Sequence, residues 1–266
     1  RDRNWEGGDA EPFFTSYEEK EMKLYLRPSF ELRLKQLLAM GYEKVFEIGN
    51  VFRNHRLGPE NSPEFILMEC YQAYTSYKDM MELLEKTIKY ALSESIKKIS
   101  SPAIKEAVEP LLSEWKKVNF DELICELFKE SNIELKNDIR MNDLKKYLLP
   151  HIRSPTFVTE LPISVFPLAK SFYDDKKRSE SSILIINNEY ISDIYTDDNN
   201  PEKLEKLLKM QQEKTGRPYS NSFLTAAKLG IPPSAGFGVG INRLLLILRG
   251  KNKKDLRETF VFPPLS

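Results

Sequence analysis

The chain has 266 residues, 41% of them hydrophobic, enough for one large core or one core with a small inserted domain. Lys and Arg (40) balance Asp and Glu (40), so no global basic field points to nucleic acid. Cys70 and Cys125 are the only cysteines and have no metal or disulfide spacing, no apolar run approaches the roughly 20 residues of a membrane span, and the first residues lack the order of a secretory signal; together these predict a cytoplasmic protein with no membrane partner.

Residues 1–15 read as irregular up to PFFT, with Gly7–Gly8 serving either as a plain turn or as a close backbone approach to a ligand. Residues 29–41, SFELRLKQLLAMG, place Leu32, Leu34, Leu37, Leu38 and Met40 at broadly helical spacing, with Ser29 as N-cap and Gly41 as the stop. Glu31 falls in the first turn, where the helix dipole alone would explain it. Residues 44–53 and 64–74 are rich in β-branched and aromatic side chains and flank a polar link, so they predict two antiparallel strands. Alternation puts Glu47, Gly49, Val51 and Arg53 on one face, and Phe65, Leu67, Glu69, Tyr71 and Ala73 on one face of the second strand. A carboxylate among such neighbours costs several kcal/mol to bury unless a cation or donors meet it. Two readings are open: Glu69 and Arg53 pair with each other or lie at a solvated edge, or they bind the two ends of a small zwitterion.

A helix over 76–98 follows, with Met80, Leu83, Leu84, Ile88 and Leu92 as its stripe. Residues 99–152 read as a charged helical insertion, with a capped helix near 119–130, so the chain divides into 1–98, 99–152 and 153–266. TFVTELPI then reads as a buried strand, and SSILIINNEYISDIYTDD as two strands turning at Asn187–Asn188. Helices are expected over 201–214, opened by Pro201, and over 220–229. Gly236, Gly238 and Gly240 share one face of a strand and leave a flat floor beside Arg243, in the first turn of a helix from Ile241. That floor suits a planar base and phosphates, or is simply a strand packed tightly under a helix.

The segments LYLRPSFELRLKQLL, VFEIGNVFRN, PEFILMECYQAYTSYKDMMEL, WKKVNFDEL, PTFVTELP and PPSAGFGVGINRLLLIL occur in this order. Nearly the whole chain thereby resembles the catalytic domain of class II aminoacyl-tRNA synthetases, most closely the lysyl branch, which includes the elongation-factor-P lysyl ligase. The resemblance implies an α+β fold with an antiparallel sheet of about six strands flanked by helices. It implies a homodimer that combines ATP with lysine or a close analogue into an aminoacyl-adenylate for tRNA or a protein acceptor. Arg53 would hold the α-phosphate and the amino-acid carboxylate, Arg243 the terminal phosphates, and Phe65 and Gly240 the adenine side. Glu31 and the Gly7–Gly8 backbone would receive the α-amine; Glu69, Tyr71, Asp193, Tyr195 and Asp197 would line the side-chain pocket.

The chain departs from the family pattern on the ATP side. His55 stands for a Glu, Glu60-Asn61-Ser62 for Arg-His-Asn, and Asn242 for an Asp. Ile183 and Tyr190 occupy the two magnesium-binding carboxylate positions, and neither suits a hard cation that wants oxygen, so no metal ligands are assigned. Glu180 and Glu189 are close by, but Glu189 would need a bulge to reach the same sheet face. In the pocket, Asp193, Tyr195 and Asp197 replace Asn, Phe and Glu, which keeps it acidic. A motif 1 segment and an anticodon-binding domain are not recognised in the sequence. Beside the ATP-dependent ligase stand two alternatives: a degenerate paralogue that binds an amino acid or a protein without activation, and an accessory subunit with a vestigial pocket.

Overall fold

The computed structural model describes residues 11–54, 57–129, 139–216, 219, 221–248 and 255–263. A hairpin of β1 (Phe14–Tyr17) and β2 (Met22–Tyr25) comes first, beginning within PFFT, where the irregular stretch was expected to end. Its reversal passes through Glu21 at φ 48° and carries no Gly or Asn to signal it. Helix α1 (Glu31–Ala39) starts one residue later than its predicted cap allows. Ser29 still accepts a hydrogen bond from the Glu31 N–H at 3.0 Å, and Gly41, at φ 95°, ends the helix as expected. Met40 is exposed rather than part of the buried stripe, and Lys35 is buried there instead.

Strands β3 (Lys44–Phe52) and β4 (Glu64–Ala73) form the predicted pair, with Glu47 opposite Glu69 and Val51 opposite Phe65. Helix α2 (Tyr77–Lys98) buries Met80, Met81, Leu84, Ile88 and Leu92, while Leu83, expected in the stripe, faces outward. The 99–152 stretch holds α3 (Pro102–Val108), α4 (Phe120–Leu127) and α5 (Met141–Leu148), and it also contributes a strand, β5 (Lys116–Asn119). This strand was not anticipated, because KKVN has the charge of a solvated edge; edge strands carry lysines for that reason. Asn119 then caps α4 by accepting from the Asp121 N–H at 2.8 Å.

The remaining strands are β6 (Thr156–Thr159), β7 (Ser181–Ile186), β8 (Glu189–Thr196) and β9 (Ser234–Gly240). Asn187 and Asn188 take φ of 50° and 63°, the two-residue reversal that the sequence predicts. Helices α6 (Pro201–Thr215), α7 (Asn221–Gly230) and α8 (Ile241–Leu248) complete the α+β fold. Among the described residues the main sheet has seven strands rather than about six, in the order β3-β4-β9-β8-β7-β6-β5, with only β5–β6 parallel.

One sheet face carries α2, α3 and α8, whose Met80, Leu84, Ile88 and Ile247 cluster with Leu184, Ile194, Phe237 and Val239. On the other face, α1 covers β3 and β4 through Leu34 and Leu38, while α4 and α5 cover β6 and β7 through Phe120, Leu144 and Leu148. The middle strands β4, β9 and β8 border a cavity between these two covers. No helix among the described residues is long and apolar enough to cross a membrane.

Candidate functional site

Strand register sets the order of chemical groups along the cavity floor. Tyr71, Gly236 and Tyr195 lie directly opposite one another on β4, β9 and β8. One step along, Glu69, Gly238 and Asp193 form the next row, and Leu67 opposite Gly240 the one after. Rows two residues apart are separated by about 6.5–7 Å, so aromatic, acidic and bare-backbone bands follow in sequence. Gly238 has no side chain to separate Glu69 from Asp193: a Cβ there would stand 3.1 Å from Asp193 Oδ1 and 3.6 Å from Glu69 Cγ. At Gly236 a Cβ would stand 2.2 Å from the Tyr71 ring, so the expected flat floor is covered by that ring and remains open only toward Gly240.

The cavity encloses about 490 Å³ and is lined by Glu31, Glu69, Tyr71, Asp193 and Tyr195 together with Arg53, Phe65, Gly240 and Arg243. Nine of the sequence-predicted site residues therefore meet in one hollow. Gly7, Gly8 and His55 lie outside the described residues. Asp197 does not line the cavity; it is buried beneath, where the Ser234 hydroxyl donates to it at 2.7 Å.

The reason for that displacement is Lys35. Its Nζ sits 2.6 Å from Asp197 Oδ1 and 2.7 Å from Glu31 Oε1, between the faces of Tyr71 and Tyr195, with ring centroids 5.3 and 5.2 Å away. Lys35 is only 4% exposed. Burial opposes its charge, yet the two carboxylates more than compensate and hold its pKa well above the ordinary value. Burial likewise opposes ionisation of Glu31, but Lys35 and the Tyr195 hydroxyl, which donates to Glu31, bring its pKa below the usual range. The Asp197 carboxyl stays raised, because burial outweighs Lys35 and Ser234.

Among the described residues, Glu69 has no ion-pair partner. The Ser29 hydroxyl donates to Oε1 at 2.8 Å and the Phe30 N–H to Oε2 at 2.9 Å. Burial first, then the charges of Glu31 and Asp193, push its pKa up to about 8. Burial also raises Asp193. Arg53 does not pair with Glu69, which settles one of the two readings open in the sequence: its Nε donates to the Pro28 carbonyl at 3.1 Å, and its guanidinium lies 5.1 Å from the Phe65 ring centroid. Arg243 donates to the carbonyls of Tyr190 (3.3 Å) and Glu60 (3.1 Å). The buried Asn242 fixes the start of α8, accepting from the Ile66 N–H at 2.7 Å and donating to Thr259 at 2.9 Å.

The residues at the expected magnesium positions do not fit a hard divalent cation. Ile183 is fully buried among Leu144, Val158 and Tyr195. The register between β7 and β8 shifts after Leu184, so that Ile185 pairs with Tyr190 and Leu184 with Ser192. This bulge turns Tyr190, rather than Glu189, to the cavity face; Glu189 pairs with Ile186, whose side chain joins the core on the α2 side. Burial keeps the Tyr190 phenol neutral, with its pKa raised well above normal. Among the described residues no group of three or more His, Cys, Asp and Glu is poised to hold a metal.

A model of tRNA synthetases class II (D, K and N) matches residues 3–266. The chain belongs to this family. It is 31% identical to the lysine–tRNA ligase of Blochmanniella floridana over 97% of this chain and 60% of that protein. It is 30% identical to the lysine–tRNA ligase of Enterococcus faecalis and 29% to that of Bacillus subtilis, each over 97% of this chain and 57% of the relative. The chain thus spans less than two thirds of the length of these relatives. The sheet with its flanking helices agrees with a class II synthetase catalytic domain.

Two cations in this class II site were missed from the sequence. Lys35 carried a signal: it stands four residues after Glu31 and between Leu34 and Leu38 on the buried side of a helix, where a lysine needs a partner. Lys145, on α5, also lines the cavity but carried none, since DLKKYL reads as a solvated face.

Proposed function

We propose that this domain condenses a basic amino acid, lysine or a close analogue, with ATP into an aminoacyl-adenylate, and passes the aminoacyl group to tRNA or another acceptor. The observation that carries this reading is one cavity lined by Glu31, by Glu69 and Asp193 in one row, and by Arg53 and Arg243. A zwitterion with a second ammonium, followed by a polyphosphate, has the complementary order of charges. Family membership and the similarity to lysine–tRNA ligases support the same conclusion.

In this reading the α-amine meets Glu31 and the amino-acid carboxylate meets Arg53. Asp197 is engaged by Lys35, so the side-chain ammonium is received by Glu69 and Asp193 across Gly238. A carboxylate oxygen of the amino acid attacks the α-phosphorus of ATP; the bond to the bridging oxygen breaks and pyrophosphate leaves. The attacking carboxylate is already ionised, so no proton need move. Catalysis consists of alignment and charge neutralisation by Arg53 and Arg243, with Phe65 stacking on the base. Exchange of labelled pyrophosphate into ATP, driven by a panel of basic amino acids, tests the proposal. Lysine-dependent exchange that Arg53→Ala removes is the expected result, and no exchange with any of them counts against it. Binding of the amino acid without activation is the second reading, favoured by Ile183 and Tyr190 at the cation-binding positions; measurable amino-acid affinity without exchange would select it.

A further inference from the structure

The phosphate side of the cavity holds an excess of unpaired positive charge. Arg53 donates to one neutral carbonyl, that of Pro28, and Arg243 to two, those of Tyr190 and Glu60. Lys145 reaches the same cavity from α5, beside the buried Leu144 and Leu148. Its Nζ lies 4.0 Å from the centroid of the Tyr190 ring, the ring that the β8 bulge turns inward. Among the described residues, no carboxylate forms an ion pair with Arg53, Lys145 or Arg243, although Arg27 and Lys89 each have one and Lys35 has two. Burial and the repulsion of Arg243 and Arg53 pull the Lys145 pKa down to about 8, while Asp193 and Glu60 act in the opposite sense. Three like charges on one hollow repel one another, and an anion of several charges offsets that repulsion.

We propose that Lys145 is a phosphate-binding residue that supplies the positive charge a divalent cation would otherwise bring, so that this site holds a nucleoside triphosphate without metal. The proposal rests on the reading of the cavity as a nucleotide site. Tyr190 acquires a role in it: its neutral ring seats the ammonium where a carboxylate would have neutralised it. The side chain has three donors on a flexible stem and fits a polyphosphate as a point charge.

Calorimetric titration of the full chain with ATP, in EDTA and again in excess magnesium, tests this with the wild type, Lys145→Met and Lys145→Arg. The expected result is ATP binding in EDTA that magnesium changes by less than about threefold, a loss of about tenfold or more in Lys145→Met, and retention in Lys145→Arg. Thermal melts of the variants establish that they fold. ATP binding that requires magnesium, or that Lys145→Met leaves unchanged in EDTA, overturns the inference while the nucleotide reading survives. No ATP binding under either condition overturns both.

Discussion

Replacing Lys35 by Met removes the cation from a buried cluster and leaves Glu31 and Asp197 facing each other across the vacated space. Lys35 and Asp197 side chains are 5% and 4% exposed, and Glu31 21%, so solvent screens their interaction little. Removing one member of such a buried pair costs about 3–5 kcal/mol. For a chain of this size that corresponds to a melting temperature roughly 6–20 °C lower. Differential scanning calorimetry at neutral pH gives the value directly. Lys35→Met/Asp197→Asn is expected to recover part of the loss, since the second change removes one stranded charge. The variant also exposes a cage of two carboxylates and two tyrosine rings, which suits an alkylammonium ion. Added n-propylammonium is therefore expected to raise the melting temperature of Lys35→Met more than that of the wild type; a ligand at a hundred times its Kd stabilises by about 2.7 kcal/mol. A Lys35→Met protein that melts with the wild type would refute the premise that the native lysine compensates these acids.

Glu69 provides a pH-dependent test. Its folded pKa of about 8 lies above the ordinary carboxylate value of 4.5, so the native state holds a proton that the unfolded chain has released. Stability is therefore expected to fall as pH rises from the ordinary value through the folded one, and Glu69→Gln should flatten that slope in urea titrations followed across pH. Binding of lysine near neutral pH is expected to release close to one proton, measured by calorimetry in buffers of different ionisation enthalpy, and Glu69→Gln should abolish the release. Gly236→Ala places a methyl inside the Tyr71 ring position and should destabilise by about 1–3 kcal/mol, whereas at Gly240 the nearest atom is 3.6 Å away and Ala should be near neutral in packing; paired melts compare the two.

The strand pair β3–β4, the Asn187–Asn188 turn and the glycine strand were legible because each rests on local rules: alternation, left-handed turn residues and missing side chains. Strand β5 was not, because a stretch of three polar residues and one valine becomes a strand only when β6 offers it a ladder. The fate of Asp197 was equally hidden. The resemblance set Asp197 among the pocket-lining residues, but whether it points to a ligand or to the protein's own ammonium depends on how α1 crosses the sheet. Tyr190 shows a subtler limit. The alternation rule alone would set Tyr190 and Asp193 on opposite faces, and a single extra residue in β8 brings them to the same one.

Arg53 occupies the junction of the acidic and basic groups of the cavity, and this bears on how the proposed reaction would bring two substrates together in it. Its field lowers the pKa of Glu31, Glu69 and Asp193 on one side, and it also lowers that of Lys145 on the other. In the proposed reaction, an amino acid whose ammonium groups are held by the acids would have its carboxylate directed toward Arg53, and a polyphosphate drawn by Arg243 and Lys145 would approach the same guanidinium from the opposite side. The two anions that must react would repel each other in water; a shared cation offsets that repulsion where their reacting atoms meet. Arg53→Lys keeps the charge but loses the planar fork, so it should preserve binding of each substrate alone and reduce pyrophosphate exchange by about a hundredfold or more. Separate titrations with lysine and ATP, set beside the exchange rate, distinguish this from a simple loss of affinity; equal losses in all three would place Arg53 in binding alone.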